Sequence, residues 1–412
     1  MKRNRGSAFI MALIAVVILT MVVASAANET RIVQRSQLHR LEQRKAERMA
    51  RSGVNYVLAQ LQNLDTSVVT LNDPWAQIGD SGSQQVTVGG GSFRLQVLDA
   101  GSMVNLNNMS QEQLQQLPLT ADQIDSILDW REPDLQPRVD GAKDQYYNSL
   151  DQPYNTKLRN FDTVDELLQV KGITPNVLYQ PQQYVSGTAL TTGSTQQQLP
   201  LYDLLTVDSR AANVTSTGQT KVNVNTVNTG QLVQAGLTQQ VAQALVQRRN
   251  FQGTFTSWTQ IFQVPGVTMQ NASTLLDALT LDGAATLTGR VNVNTATEQA
   301  LNLLPGMTPD VTQAILSRQG TFEGLGDLVG VPGLTLPLLG QIAGSLTTSS
   351  QAFVVLCQGR FGGSTYALRA VIDVDDAGPR IVKVEKSPYT DVITQWGWDT
   401  DPSTETVLIQ SN

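Results

Sequence analysis

Ser7 to Ala27 run for 21 residues without a charged side chain, and no other feature constrains the chain as much. At about 1.5 Å of rise per residue this makes roughly 30 Å of helix, the thickness of a bilayer's hydrocarbon core. Lys2, Arg3, Arg5 and Gly6 precede the stretch, and Arg31, Arg35, Arg40, Arg44 and Lys45 follow it. With basic residues on both sides, charge bias alone does not orient the span. Ala24-Ser25-Ala26 offers a small-residue cleavage site, but the apolar region of a secretory signal is shorter, about 7 to 15 residues. The favoured reading is a single retained anchor at 7–27. The helix is expected to continue to about Leu64, because Ala50, Val54, Val57, Leu61 and Leu64 recur at steps of three or four and line one face.

Two strand-like regions lie far apart. Gln85 to Val88 and Phe93 to Leu98 flank the turn Gly89-Gly90-Gly91; Ala352 to Cys357, Thr365 to Val374 and Arg380 to Glu385 form the other group. The pattern predicts an α+β fold: the long N-terminal helix packs on one small antiparallel sheet, and a large all-α domain is inserted between its strands. The sheet domain is expected at 65–102 and 346–390, and a first helical block at 103–184. A flexible linker rich in Thr, Gln, Ser and Gly follows at 185–219, then a repeated region at 220–345 and a tail at 391–412. Trp396 and Trp398 in the tail are expected to pack on the sheet.

Composition removes several classes of chemistry. One His (His39) and one Cys (Cys357) cannot build a zinc site, a disulfide or a Cys-His dyad. No G-x-S-x-G elbow, Walker A loop or G-x-G-x-x-G fingerprint is present. An enzyme is not expected. Residues 1–51 hold ten Lys or Arg against three Glu, leaving 18 basic against 32 acidic residues for 52–412.

The inserted region repeats. Val104-Asn105-Leu106-Asn107, Val222-Asn223-Val224-Asn225 and Val291-Asn292-Val293-Asn294 open three blocks. Tight turns follow at Lys171-Gly172-Ile173-Thr174, Pro265-Gly266-Val267-Thr268, Pro305-Gly306-Met307-Thr308 and Pro332-Gly333-Leu334-Thr335. In each, Gly suits a left-handed backbone and Thr can cap the next helix. The spacing from Asn294 to Gly306 resembles the helix-hairpin-helix units of the competence DNA-binding protein. A membrane-anchored DNA-binding protein of that type is therefore the alternative function. Against it, Thr268, Thr308 and Thr335 stand where a second glycine would let backbone amides approach a phosphate. In addition, residues 290–345 carry Arg290 and Arg318 against Glu298, Asp310, Glu323 and Asp327. An acidic body lacks the counterion-release term that drives binding to a polyanion, so nucleic acid is not an expected partner and the repeats read as protein-interaction units.

The leader ending in Gly6, with the span beginning at Ser7, resembles the class III signal of type IV pilins and type II secretion pseudopilins. That resemblance implies cutting between Gly6 and Ser7 by a prepilin peptidase, with the span retained in the inner membrane, the body in the periplasm and bilayer lipid around the span. Met11 stands where most such chains carry Glu, which suits a subunit at a filament tip. Inside the first block, Ile127-Leu128-Asp129-Trp130, Glu132, Asp134, Asp140-Gly141-Ala142, Asp144, Tyr146-Tyr147 and Asp165-Glu166-Leu167-Leu168 ahead of Val170-Lys171-Gly172 follow one another. This order is similar to the signature of the protein K family of type II secretion minor pseudopilins. The family implies a structural role in a tip complex that primes pseudopilus assembly for export across the outer membrane, with I- and J-type minor pseudopilins and the major pseudopilin as partners.

Asp129, Glu132, Asp134, Asp140 and Asp144 offer five hard oxygen donors, enough for most of a calcium shell. A solvated acidic loop around Pro133 and Pro137 is the other reading. The resemblance implies Ca2+ in this domain, although Glu132 replaces an Asp and Lys143 replaces a Glu of the family pattern. The residues themselves require no cofactor.

Overall fold

The computed structural model describes residues 5–181, 199–389, 391–398 and 403–408. Helix α1 runs Arg5–Gln60 and tightens into a 3-10 turn at Leu61–Asn63. No proline interrupts it, and between Gly6 and Gly53 no glycine does, so neither of the strong helix breakers acts over about thirteen turns. Its N-terminal part is apolar enough to cross a membrane, and none of that window is buried. The backbone of Gly6 and Ser7 is helical, while residues 1–4 of the expected leader lie outside the described residues. The face expected to be apolar is buried: Ala50, Val54, Val57 and Leu61 are all at most 2% exposed, and Ala46 extends it by one turn. Burial of Val54, Val57 and Leu61 contributes about 1.5–3 kcal/mol each. Upstream, Ile32, Val33, Leu38 and Leu41 on the same helix are exposed.

The sheet under α1 has six strands: β1 Gln84–Val88, β2 Gly91–Asp99, β3 Ala352–Phe361, β4 Ser364–Asp375, β5 Gly378–Lys386 and β6 Ser403–Leu408. Their order is β5-β4-β3-β2-β1-β6. Strand β3 lies between β2 and β4, antiparallel to both, with Phe353 opposite Asp99 and Ile372. Its side chains alternate between faces. Phe353, Val355 and Cys357 join the core under α1 with Val54, Val57, Phe93, Leu95 and Ile372, while Val354 and Leu356 pack on the opposite face with Met103, Val371 and Trp398. Burial on both faces explains the unbroken apolar run Ala352 to Cys357. The tail packs on the sheet through Trp398, as expected, and also adds a strand that was not expected. Trp398 is buried and its Nε1 donates to Gln96 Oε1 at 3.0 Å, and β6 adds a parallel sixth strand beside β1.

The insert is three modules, each of which closes on itself. Each opens on Val-Asn and ends on Leu-Thr, and the two dipeptides pair in parallel: Val104 and Asn105 with Leu205 and Thr206, Val222 and Asn223 with Leu279 and Thr280, Val291 and Asn292 with Leu346 and Thr347. The module cores merge into one apolar cluster. The linker expectation needs correcting for its second half. Residues 185–198 lie outside the described residues, but Leu201–Leu204 is a helical turn and Leu205–Thr206 closes the first module. Leu201, Tyr202, Leu204 and Leu205 are buried; four apolar side chains in five residues anchor this stretch despite its polar surroundings.

Insert and sheet meet at Asp99, the last residue of β2. Its fully buried carboxylate accepts Gly101 N at 2.7 Å, Asn292 Nδ2 at 2.9 Å, Thr295 Oγ1 at 2.6 Å and the Ser350 hydroxyl. Burial pushes its pKa up, and these hydrogen bonds oppose the shift. At the other edge, Lys383 of β5 donates to Asp208 at 2.7 Å and to Asp162 O at 2.7 Å.

Candidate functional site

The acidic segment begins at the helix Ala121–Arg131. Its last turn buries Trp130 against Tyr147 and Tyr154, with ring centroids 5.3 and 6.1 Å away. Asp129, one residue earlier, is fully buried, and Arg138 closes over it. The Arg138 guanidinium reaches Asp129 Oδ1 at 2.9 Å and Glu132 Oε2 at 2.7 Å, while its backbone N–H donates to Asp129 Oδ2 at 3.1 Å. Lys143 is 5% exposed and its ammonium donates to the backbone carbonyls of Asp129 and Glu132. Burial pushes the Lys143 pKa down, and the charges of Asp129, Asp134 and Glu132 oppose the shift.

The five carboxylates expected as calcium ligands are not brought together. Only Asp129 and Glu132 share a partner, and that partner is Arg138. Asp134 accepts Gln136 N at 3.0 Å, Asp144 accepts Thr156 N at 2.7 Å, and Asp140 presents its carbonyl to Lys171 Nζ. Among the described residues no three His, Cys, Asp or Glu side chains form a group that could hold a metal. The donor set does not fit a resident divalent ion, because two cations from the chain itself already take its strongest acceptors.

The helix-hairpin-helix turns form with the expected backbone. Gly172, Gly266, Gly306 and Gly333 have φ of 79°, 90°, 77° and 84°, a region that side chains rarely adopt. Thr174 and Thr308 cap the following helices by accepting Val177 N and Val311 N at 3.4 Å each. At Thr268 the roles reverse, and Asn271 Oδ1 accepts its backbone N–H. A further turn of the same kind, Gly236-Leu237-Thr238, joins two helices of the second module; the Gly-apolar-Thr spacing was its sequence signal.

Each module is also pinned by one buried or half-buried Asn. The amides of Asn107, Asn225 and Asn294 donate to the carbonyls of Phe161, Phe255 and Phe322 at 2.8–3.0 Å and accept the same residues' N–H groups. A second polar clamp holds the loop after the opening strand. Arg131 donates to Leu106 O and Met109 O, Arg249 to Val224 O and Val227 O, and Gln319 to Val293 O and Ala296 O. Their sequence signal is a polar residue recurring at one place in each repeat: Arg131, Arg249 and Gln319. Their positions bear directly on nucleic acid. Arg249 points inward, and Arg248 and Arg318 lie over the rings of Phe255 and Phe322 at 4.8 and 5.1 Å. Arg249 is thus spent on the fold, while Arg248 and Arg318 are half-buried against these rings.

Residues 102–188 match the family model described as "Type II secretion system (T2SS), protein K", and 217–280 and 288–347 each match the helix-hairpin-helix motif. No curated protein matches the chain. A solved structure of the GspK-GspI-GspJ complex from the enterotoxigenic Escherichia coli type 2 secretion system is similar at 14% identity and a TM-score of 0.38, covering 88% of this chain and 100% of that one. The two motif matches coincide with the second and third modules, and the protein K match covers most of the first, including Asp129, Arg138, Lys143 and the aromatic cluster. The chain thus contains a segment similar to type II secretion system protein K and two helix-hairpin-helix motifs, behind an N-terminal helix long and apolar enough to cross a membrane.

Proposed function

We propose that this subunit sits at the tip of a type II secretion pseudopilus, joins I- and J-type minor pseudopilins there and primes assembly of the filament from major pseudopilin. The observation that carries the reading is the state of α1. One face is buried on the sheet from Ala46 onward, while Ile32, Val33, Leu38 and Leu41 are uncovered on a helix that continues into the apolar span. Such a surface fits the helices of neighbouring subunits that share the same membrane geometry. Met11, without a carboxylate, cannot neutralise the amino terminus of a subunit stacked above it, and this suits the uppermost position. The membrane is taken to be the bacterial inner membrane, the body periplasmic, and the mature chain to begin at Ser7 after cutting next to Gly6.

Co-expression with I- and J-type pseudopilins followed by purification in detergent tests the reading. A stable ternary complex is expected, and it should be lost on substituting Leu38→Glu and Leu41→Glu. Recovery of the full chain as a monomer that is retained on DNA in a salt-dependent way would favour the competence-type alternative. Sequencing of the mature amino terminus is expected to start at Ser7, and a start at Ala27 would overturn the retained anchor.

A further inference from the structure

Pro133 leaves a problem at the end of the helix Ala121–Arg131. The carbonyl of Asp129 would accept the N–H of the residue four places on, but that residue is a proline with no N–H to give. Glu132, just past the last helical residue, turns its own carbonyl toward the same point. Two carbonyls therefore point at one position where the chain leaves the helix, beside the two carboxylates of the same residues, and such a group of oxygens favours a cation. Lys143 Nζ, almost wholly buried, meets both carbonyls, and Arg138 meets both carboxylates. Two positive charges stand against Asp129 and Glu132, and Asp134, the third carboxylate whose charge acts on Lys143, accepts the backbone N–H of Gln136 in its own turn.

We propose that Lys143 is the resident cation of this segment: its ammonium, braced by Arg138, stands where a divalent ion would otherwise be needed, so that residues 129–143 hold their fold without calcium. This role needs only the oxygens and cations of this chain and does not depend on the subunit's place in a filament. Lys143→Met keeps the length of the aliphatic stem and removes the charge, leaving both carbonyls without a donor. Lys143→Glu adds a fifth oxygen-bearing group to a site that has lost its cation, and calcium is expected to fill it.

Hydrogen exchange of the full chain in detergent, followed on peptides spanning 129–143 in EGTA and in millimolar calcium chloride, tests this. The wild type should exchange equally in both. Lys143→Met should exchange about tenfold or more faster in both, since breaking a buried charge contact is strongly destabilising. Lys143→Glu should exchange fast in EGTA and slow by about tenfold in calcium, as binding to the folded state alone requires. Faster wild-type exchange in EGTA than in calcium would overturn the proposal, as would a Lys143→Met protein as protected as the wild type. Lys143→Glu exchange indifferent to calcium would overturn the equivalence between the ammonium and a divalent ion. Exchange in peptides of the sheet, around 352–361, serves as the control for general unfolding.

Discussion

At Gly359 the backbone of the sheet comes close to the backbone of the long helix, and filling that space should loosen the joint between them. A Cβ on Gly359 would lie 2.2 Å from Ala46 O, 2.3 Å from Ala50 N and 3.0 Å from Ala50 Cα. These are backbone atoms of a helix held on either side by buried residues, so no side chain can rotate away to make room. Gly359→Ala must therefore lift α1, a form of overpacking that costs about 1–3 kcal/mol. The molecule supplies its own probe. Cys357 is the single cysteine, lies two residues along on the same face of β3, and is fully buried under α1. Burial also pushes its thiol pKa up, so reaction with a maleimide requires the helix to open. If opening precedes labelling, a cost of 1–3 kcal/mol raises the labelling rate about 5-fold to 150-fold. Gly363→Ala is the control, because the atom nearest its Cβ would be Glu42 Oε2 at 3.9 Å. A Gly359→Ala protein that labels no faster than the wild type, or a control that accelerates equally, would refute the view that this close approach holds helix and sheet together.

Other outcomes follow from the buried polar groups. Asn294→Ala strips the third module of the acceptor for Gly320 N and Phe322 N and the donor to Phe322 O; a loss of about 2–5 kcal/mol is expected from denaturant unfolding. Arg249→Met, which frees Val224 O and Val227 O, should cost about 1–3 kcal/mol in the same assay and leave any retention on DNA unchanged. Asp99 has a folded pKa above the ordinary 3.8 because of its burial, so its contribution to stability is complete below that value and is lost as pH rises through the folded pKa. The stability of the wild type relative to Asp99→Asn should accordingly fall between about pH 4 and the folded pKa; a difference flat with pH would contradict the assignment to burial.

Periodicity and local backbone chemistry account for everything that could be read from the residues in order. The span from Ser7 to Ala27, the apolar stripe at Ala50, Val54, Val57 and Leu61, the strand patterns and the four Gly turns each need only neighbours within a few residues to be read. The repeated Val-Asn openings marked the modules for the same reason. Features that depend on a partner distant in the chain emerge only when the chain is folded. The Leu-Thr closure at Leu205 and Thr206 was hidden by its polar surroundings, because a two-residue ladder with Val104 and Asn105 has no local pattern. Strand β6 was invisible until β1 offered it an edge. The acidic segment shows the limit most clearly. Five carboxylates within sixteen residues suggest a metal, yet net charge along a chain does not say which oxygens meet. Folding carried Arg138 and Lys143 back onto Asp129 and Glu132, and at distances near 3 Å those cations, not the count of acids, set the chemistry of the site.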